Sequence, residues 1–231
     1  MNTRQAYNTW ASQYDTNNNK TRDLEAIALR ETLANIPFKS CLEIGCGTGK
    51  NTAWLMQKAE RIIAIDFSEE MLAKAKEKIV SHKVEFKQAD ITNAWTFTEQ
   101  HCDLISFSLI LEHIKDIEHV FKEASGLLNN NGHIYIGELH PYKQYAGTKA
   151  RFETEQGLHV LECFNHNISE FVRAAKKFQL KLVDIDEYFD NDDKISIPRI
   201  LTMLFKKFSN TSTPLLIAEQ HQLSVLVSDQ H

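Results

Sequence analysis

The chain has 231 residues, 42% hydrophobic and 25% charged, and its 26 basic against 31 acidic side chains leave a net charge of −5 with the ten histidines neutral. That suffices for one α/β core and excludes a disordered chain, and the acidic balance argues against a protein built to coat nucleic acid or anionic lipid. There is no apolar run long enough to span a membrane, no secretory core in MNTRQAYNTW, and no C-x-x-C pair among Cys41, Cys46, Cys102 and Cys163, so the expectation is a cytoplasmic chain without a metal site.

The first predicted element is an amphipathic helix, with Tyr7, Trp10, Ala11 and Tyr14 at i, i+3, i+4 and i+7. A second helix over 22–35 stops before Pro37. Short β-branched or aromatic segments then alternate with helical periods. CLEI (41–44), RIIAID (61–66), VEFKQA (84–89), CDLISFS (102–108) and HIYIGEL (133–139) read as strands, and 69–80 and 116–128 as helices. Such alternation predicts a doubly wound, mostly parallel sheet with helices on both faces. Residues 140–165 are long for a loop, and 150–164 around Gly157 read as a hairpin lid. Ile168, Phe171, Val172, Ala175 and Phe178 mark a further helix, and 180–189 with 199–205 read as a closing antiparallel strand pair. The expected organisation is a single domain over 1–231. It has a helical cap at 1–38, a cofactor core at 40–139, a substrate loop at 140–165 and a closing unit at 166–207; the residues after Ala218 carry no readable period.

The most informative stretch is LEIGCGTGKNTAWL, residues 42–55. An apolar strand runs into Gly45, Gly47 and Gly49, and a helix begins near Asn51; three of the eight glycines fall within five residues. Glycine there lets the backbone turn sharply and approach a ligand closely. Asp66 ends the next strand, where a carboxylate can accept from both hydroxyls of a ribose. Read alone, each half is only a tight turn or an exposed acid; together they point to a nucleoside ligand. The spacing G-x-G-x-G differs from the dinucleotide G-x-G-x-x-G, and Glu43 beside the turn would repel a pyrophosphate while suiting a cationic ligand.

LEIGCGTGKNT, IDFSEEMLAKAKEK, FKQADI and DLISFSLILEHI, in that order over residues 40 to about 139, resemble the class I S-adenosylmethionine-dependent methyltransferases, and YNTWASQYD resembles the N-terminal helix of their small-molecule members. The resemblance implies S-adenosyl-L-methionine as cofactor and a Rossmann-like methyltransferase fold. It implies that Glu43 and the backbone of Gly45, Cys46, Gly47 and Gly49 hold the methionine end, that Asp66 takes the ribose, and that Phe67 lies against the adenine. Asp90 and the Ile91 amide would address the adenine edge, Ser108 and Leu109 would lie under the sulfonium, and Tyr7 and Tyr14 would close over the ligand. The plain alternatives are core packing for Phe67 and Ile91, a cap on a short helix at 92–99 for Asp90, and helix packing for the two tyrosines.

Candidate catalytic groups gather after the fourth and fifth strands, whose carboxyl ends face the crevice of such a sheet. They are Glu112 and His113, then Glu138, His140, Tyr142 and Tyr145, with His166 further on. His140 leads as a general base because an unperturbed imidazole titrates near ~6.5; His113 and Tyr142 follow. The alternative for His140 is a loop-shaping hydrogen bond to the backbone. SFSL (106–109) stands where base-methylating enzymes resemble N-P-P-Y, and no basic run is long enough for a nucleic-acid patch. The expected function is methyl transfer to an O or N atom of a small molecule, without nucleic-acid or membrane partners. The competing readings are a non-catalytic S-adenosylmethionine-binding protein and, more distantly, an NAD-dependent oxidoreductase.

Overall fold

The computed structural model describes residues 3–154 and 157–209; the stretch after Ala218 lies outside them. Two helices come first, α1 (Thr3–Trp10) and α2 (Lys20–Leu33), the latter capped by Asn19, whose side chain accepts from Arg22 N–H. The predicted first helix ends at Trp10, so Tyr14 lies in the turn beyond it. Five strands follow: β1 (Ser40–Ile44), β2 (Arg61–Asp66), β3 (Val84–Gln88), β4 (Cys102–Ser108) and β5 (Leu128–Leu139). Between them lie α3 (Thr52–Lys58), α4 (Glu69–Lys78) and α5 (Ile117–Leu127). Ser68 and Asp116 cap α4 and α5 with side-chain oxygens, which is why both helices start where they do. No helix forms over 92–99, where the chain makes turns and Asp90 instead closes a loop on Thr92.

The chain then forms α6 (Pro141–Tyr145), the hairpin β6 (Arg151–Thr154) and β7 (Gly157–Val160), α7 (Ile168–Lys177), and the strands β8 (Leu180–Tyr188) and β9 (Ile200–Lys207). Among the described residues the main sheet has seven strands in the order β3-β2-β1-β4-β5-β9-β8. The first five are parallel, and β9 and β8 close the sheet antiparallel. This is the doubly wound, mostly parallel sheet that the alternation predicts, with the antiparallel pair at its C-terminal edge.

Strand alternation sorts the interior into two layers. Leu42, Ile44, Ile63, Ile65, Ile105, Phe107, Ile134 and Ile136 face the layer under α5 and α7. Cys41, Ile62, Ala64, Leu104 and Tyr135 face the layer under α2 and α3, with Leu29, Leu33 and Leu55. Burying each such side chain contributes about 1.5–3 kcal/mol, and the two filled layers hold the carboxyl ends of β1, β2, β4 and β5 in register. Strand order reverses between β1 and β4, so the loops leaving them diverge and open a crevice.

Candidate active site

Gly45, Gly47 and Gly49 all have positive φ, at 73°, 53° and 83°, a region L side chains rarely enter. Gly45 N–H and Cys46 N–H both donate to Ile65 C=O, at 2.8 and 2.9 Å, which folds the turn onto the end of β2. A Cβ on Gly45 would lie 1.9 Å from Ile110 Cδ1, whereas one on Gly47 would meet nothing within 4 Å. Gly47 therefore presents bare main chain to open space. The Asp66 carboxylate is fixed from both sides, accepting from Gly47 N–H at 2.8 Å and Ser68 N–H at 2.8 Å. Burial pushes its pKa up to about 6, against the lowering by those two N–H groups, so it is an anion at neutral pH.

These groups line a cavity of about 360 Å³. Gly45, Gly47, Asp66 and Phe67 form one wall, Asp90, Ile91 and Thr92 the second, and Ser108, Leu109, Ile110 and His113 the third, with Tyr7 and Tyr14 above. Arg4 of α1 stacks over the Phe67 ring at 5.4 Å and pairs with Glu69 at 2.9 Å, tying the N-terminal helix to the rim. An acid at the end of each of two neighbouring strands, a flat aromatic beside one and exposed main chain between walls of Ile and Met suit a nucleoside, and the volume lies in the range of small-ligand sites. Asp66 and Asp90 make the pocket unfavourable for a pyrophosphate.

The loop after β4 is held under tension. Leu109 has φ 57°, an uncommon conformation for a leucine. Its N–H donates to Gly137 C=O at 2.8 Å, and Glu138 accepts from Ile110 N–H and Leu111 N–H at 2.9 and 2.8 Å. Glu138 therefore positions the wall that faces the cavity. Burial and the neighbouring Glu112 raise its pKa to about 8. Beside this loop, Tyr7 Oη and His113 Nε2 are 2.9 Å apart, and His113 Nδ1 lies 3.2 Å from Glu162 C=O. A carbonyl can only accept, so Nδ1 carries the hydrogen and Nε2 accepts from the tyrosine hydroxyl.

Seven residues singled out in the sequence do not line this cavity. Glu43 turns away from the cavity, because alternation along β1 puts it on the face under α3, where Thr52 Oγ1 donates to it at 2.6 Å; burial raises its pKa to about 8. Cys46 is buried in the layer under α2 and α3. Gly49 holds a φ of 83° and packs against Ala75 and the flexible end of Ile79, so the backbone conformation is what calls for glycine there. His140 is fully buried and lines neither this cavity nor the larger one beside it. It caps α6, its Nδ1 accepting from Tyr142 N–H while Nε2 donates to Glu187 Oε1 at 2.9 Å. Tyr142 is exposed, its ring tilted against that of His140. His166 is likewise spent on Ile114 C=O, at 2.7 Å, and Tyr145 on Asn167.

One buried carboxylate escaped the sequence reading. Glu25 of α2 reaches under the sheet ends, where Tyr135 Oη donates to it at 3.1 Å and Asn51 Nδ2 at 3.0 Å, and Ser108 is hydrogen-bonded to the same cluster. The only available signal was an acid on the stripe that also holds Ala26, Leu29 and Leu33. Among the described residues, no group of three or more His, Cys, Asp or Glu could hold a metal ion, and no helix is long and apolar enough to cross a membrane.

Comparison with known proteins agrees with this geometry. Residues 42–136 match the family model described as methyltransferase domain. Over that stretch the chain is similar to methyltransferase domains. Among curated relatives of this domain, trans-aconitate 2-methyltransferase of Escherichia coli O7:K1 (strain IAI39 / ExPEC) is 36% identical over 107 residues, 44% of this chain and 41% of that protein. Phosphoethanolamine N-methyltransferase 1 of Arabidopsis thaliana is 32% identical over 127 residues, 52% of this chain and 26% of that protein. The chain thus aligns with less than half the length of either relative. The likeness in fold extends further. The DhpI-SAH complex superposes with a TM-score of 0.70 at 22% identity, covering 88% of this chain and 94% of that one. A methyltransferase from Mesorhizobium loti gives 0.68 at 17% identity, covering 80% and 98%.

Proposed function

We propose that the protein binds S-adenosyl-L-methionine in the 360 Å³ cavity and transfers its methyl group to an O or N atom of a small molecule. The observation that carries this reading is the pairing of Gly47 main chain with Asp66, a cradle whose one open side a ribose can enter. S-adenosylmethionine, when bound, supplies a methyl group on a positively charged sulfur, so the transfer is an in-line displacement and the protein's task is alignment in a dry pocket.

The residues divide that task. Asp66 accepts from ribose hydroxyls, Phe67 and Ile91 flank the adenine, and Asp90 accepts from its amino group. Ser108 and the constrained Leu109 form the floor where the two reactants meet. The acceptor's electron pair forms the new bond to the methyl carbon, and any proton it carries must leave. Tyr7 and His113 are placed to receive that proton, the tyrosine hydroxyl relaying it to Nε2. A neutral amine needs only orientation. All four cysteines are free thiols, consistent with our assignment to a reducing cytoplasm. The small-molecule assignment draws its support from the relatives named above, whose names specify trans-aconitate and phosphoethanolamine. Incubation of the full chain with S-adenosylmethionine and a pool of small metabolites, read by mass, should yield a product heavier by one methylene; S-adenosylhomocysteine binding without any such product would reduce the protein to a binding module.

A further inference from the structure

A second cavity, of about 810 Å³, adjoins the first and shares Tyr7, Tyr14 and Leu109 with it. It is the space from which an acceptor would meet a methyl group held in the first, and its size encloses a metabolite. Its charged lining is one-sided, with Lys20, Lys149, Arg151 and Arg199 against the single carboxylate of Glu112. Arg199 is neutralised by Asp190, which it contacts through two 2.6 Å hydrogen bonds. Among the described residues no carboxylate lies within salt-bridge distance of Lys20, Lys149 or Arg151; Lys20 feels Asp190 at longer range, and all three cations are exposed.

The inner end is the opposite. Glu112 follows directly on the Leu109 loop, is buried, and has an Oε2 without a hydrogen-bond partner. A carboxylate in that position favours a hydrogen-bond donor or an ammonium beside it and disfavours an oxyanion. Cations at the rim and an acid at the floor together set the orientation of whatever enters.

Resting on the transferase reading, we infer that the acceptor is a small molecule with an oxyanion, a carboxylate or phosphate, held by Lys20, Lys149 and Arg151 at the rim, and with its nucleophilic amine or hydroxyl directed inward toward Glu112. Lysine and arginine at a cavity mouth both attract and grip such groups. The oxyanion is then the handle and not the methylated atom.

The test uses the full chain in two separate titrations. S-adenosylhomocysteine alone comes first, and its failure to bind overturns the transferase reading whatever follows. The saturated protein is then titrated with β-alanine, propionate, propionamide and inorganic phosphate at about 0.15 M salt, to screen non-specific attraction. β-Alanine should bind at least about tenfold more tightly than propionamide, and the double variant Lys149→Glu with Arg151→Glu should erase that difference while S-adenosylhomocysteine affinity stays within about twofold. Glu112→Gln should weaken β-alanine more than propionate. Phosphate binding more tightly than propionate assigns the handle as phosphate, and the reverse order as carboxylate. Equal binding of β-alanine and propionamide, or a double variant that binds β-alanine like the wild type, overturns the inference while leaving the transferase reading intact.

Discussion

The two cavities meet at Leu109 but are made of different material. The smaller is built from main chain and mostly uncharged side chains at the ends of β1, β2, β3 and β4, most of it contributed by residues 44–114. The larger is assembled from segments distant in the chain, the stretch 13–21 that runs into α2, the stretch 148–151 and Arg199, and its character comes from long charged side chains. A site made of backbone on a packed sheet is pre-organised and tolerates few changes. One made of exposed side chains at the ends of elements and on connecting segments can change specificity without disturbing the fold. The first cavity therefore suits an invariant ligand and the second a variable one.

Breaking the first cavity should produce the largest effects. Gly45→Val combines a positive φ with a Cβ inside Ile110, and S-adenosylhomocysteine affinity measured by calorimetry should fall by about a hundredfold or more, ~2.7 kcal/mol. Asp66→Ala removes the acceptor for the ribose and should cost at least about tenfold, ~1.4 kcal/mol. An unchanged affinity in the alanine variant would remove the ribose role.

The loop between the cavities gives a pH-dependent contrast. Glu138 and Glu43 have pKa values near 8 and Glu25 near 7, against 4.5 for an ordinary glutamate, all raised by burial. Each holds its proton more tightly folded than unfolded, so the contribution of these three groups is fully present on the acid side and is lost as pH rises from 4.5 through about 8. Glu138→Gln keeps a carbonyl oxygen for Ile110 and Leu111 but cannot ionise. Its melting temperature should decline less between about pH 5 and pH 8 than that of the wild type; parallel curves would show that Glu138 does not titrate there.

The smallest effects belong to the groups the structure moves out of the site. His140→Ala should lower the melting temperature by a few degrees through loss of the α6 cap, roughly 1 kcal/mol, and leave turnover within about twofold. His113→Ala should do the reverse, reducing turnover on a protonated nucleophile with cofactor affinity unchanged. A loss of turnover in His140→Ala would return that residue to the chemistry.

How much of this was legible in the residues follows the same division. Strand and helix periods placed β1, β2 and β4 within a residue of their ends, and the glycine turn with Asp66 located the first cavity, because those signals are local. Glu43 was misdirected although the evidence was present: Leu42 and Ile44 share one face, so Glu43 must share the other with Cys41. His140 could not be settled from its neighbours, since its partner Glu187 lies 47 residues away on β8. Lys20, Lys149 and Arg151 gave no signal either, because each is an ordinary surface charge until the fold sets the three around one opening.

The most direct measurement is a side-by-side titration of the wild-type chain with S-adenosylhomocysteine and with NAD. The account predicts saturable binding of the first, weakened in Asp66→Ala, and none of the second. Binding of NAD with no response to S-adenosylhomocysteine would contradict it.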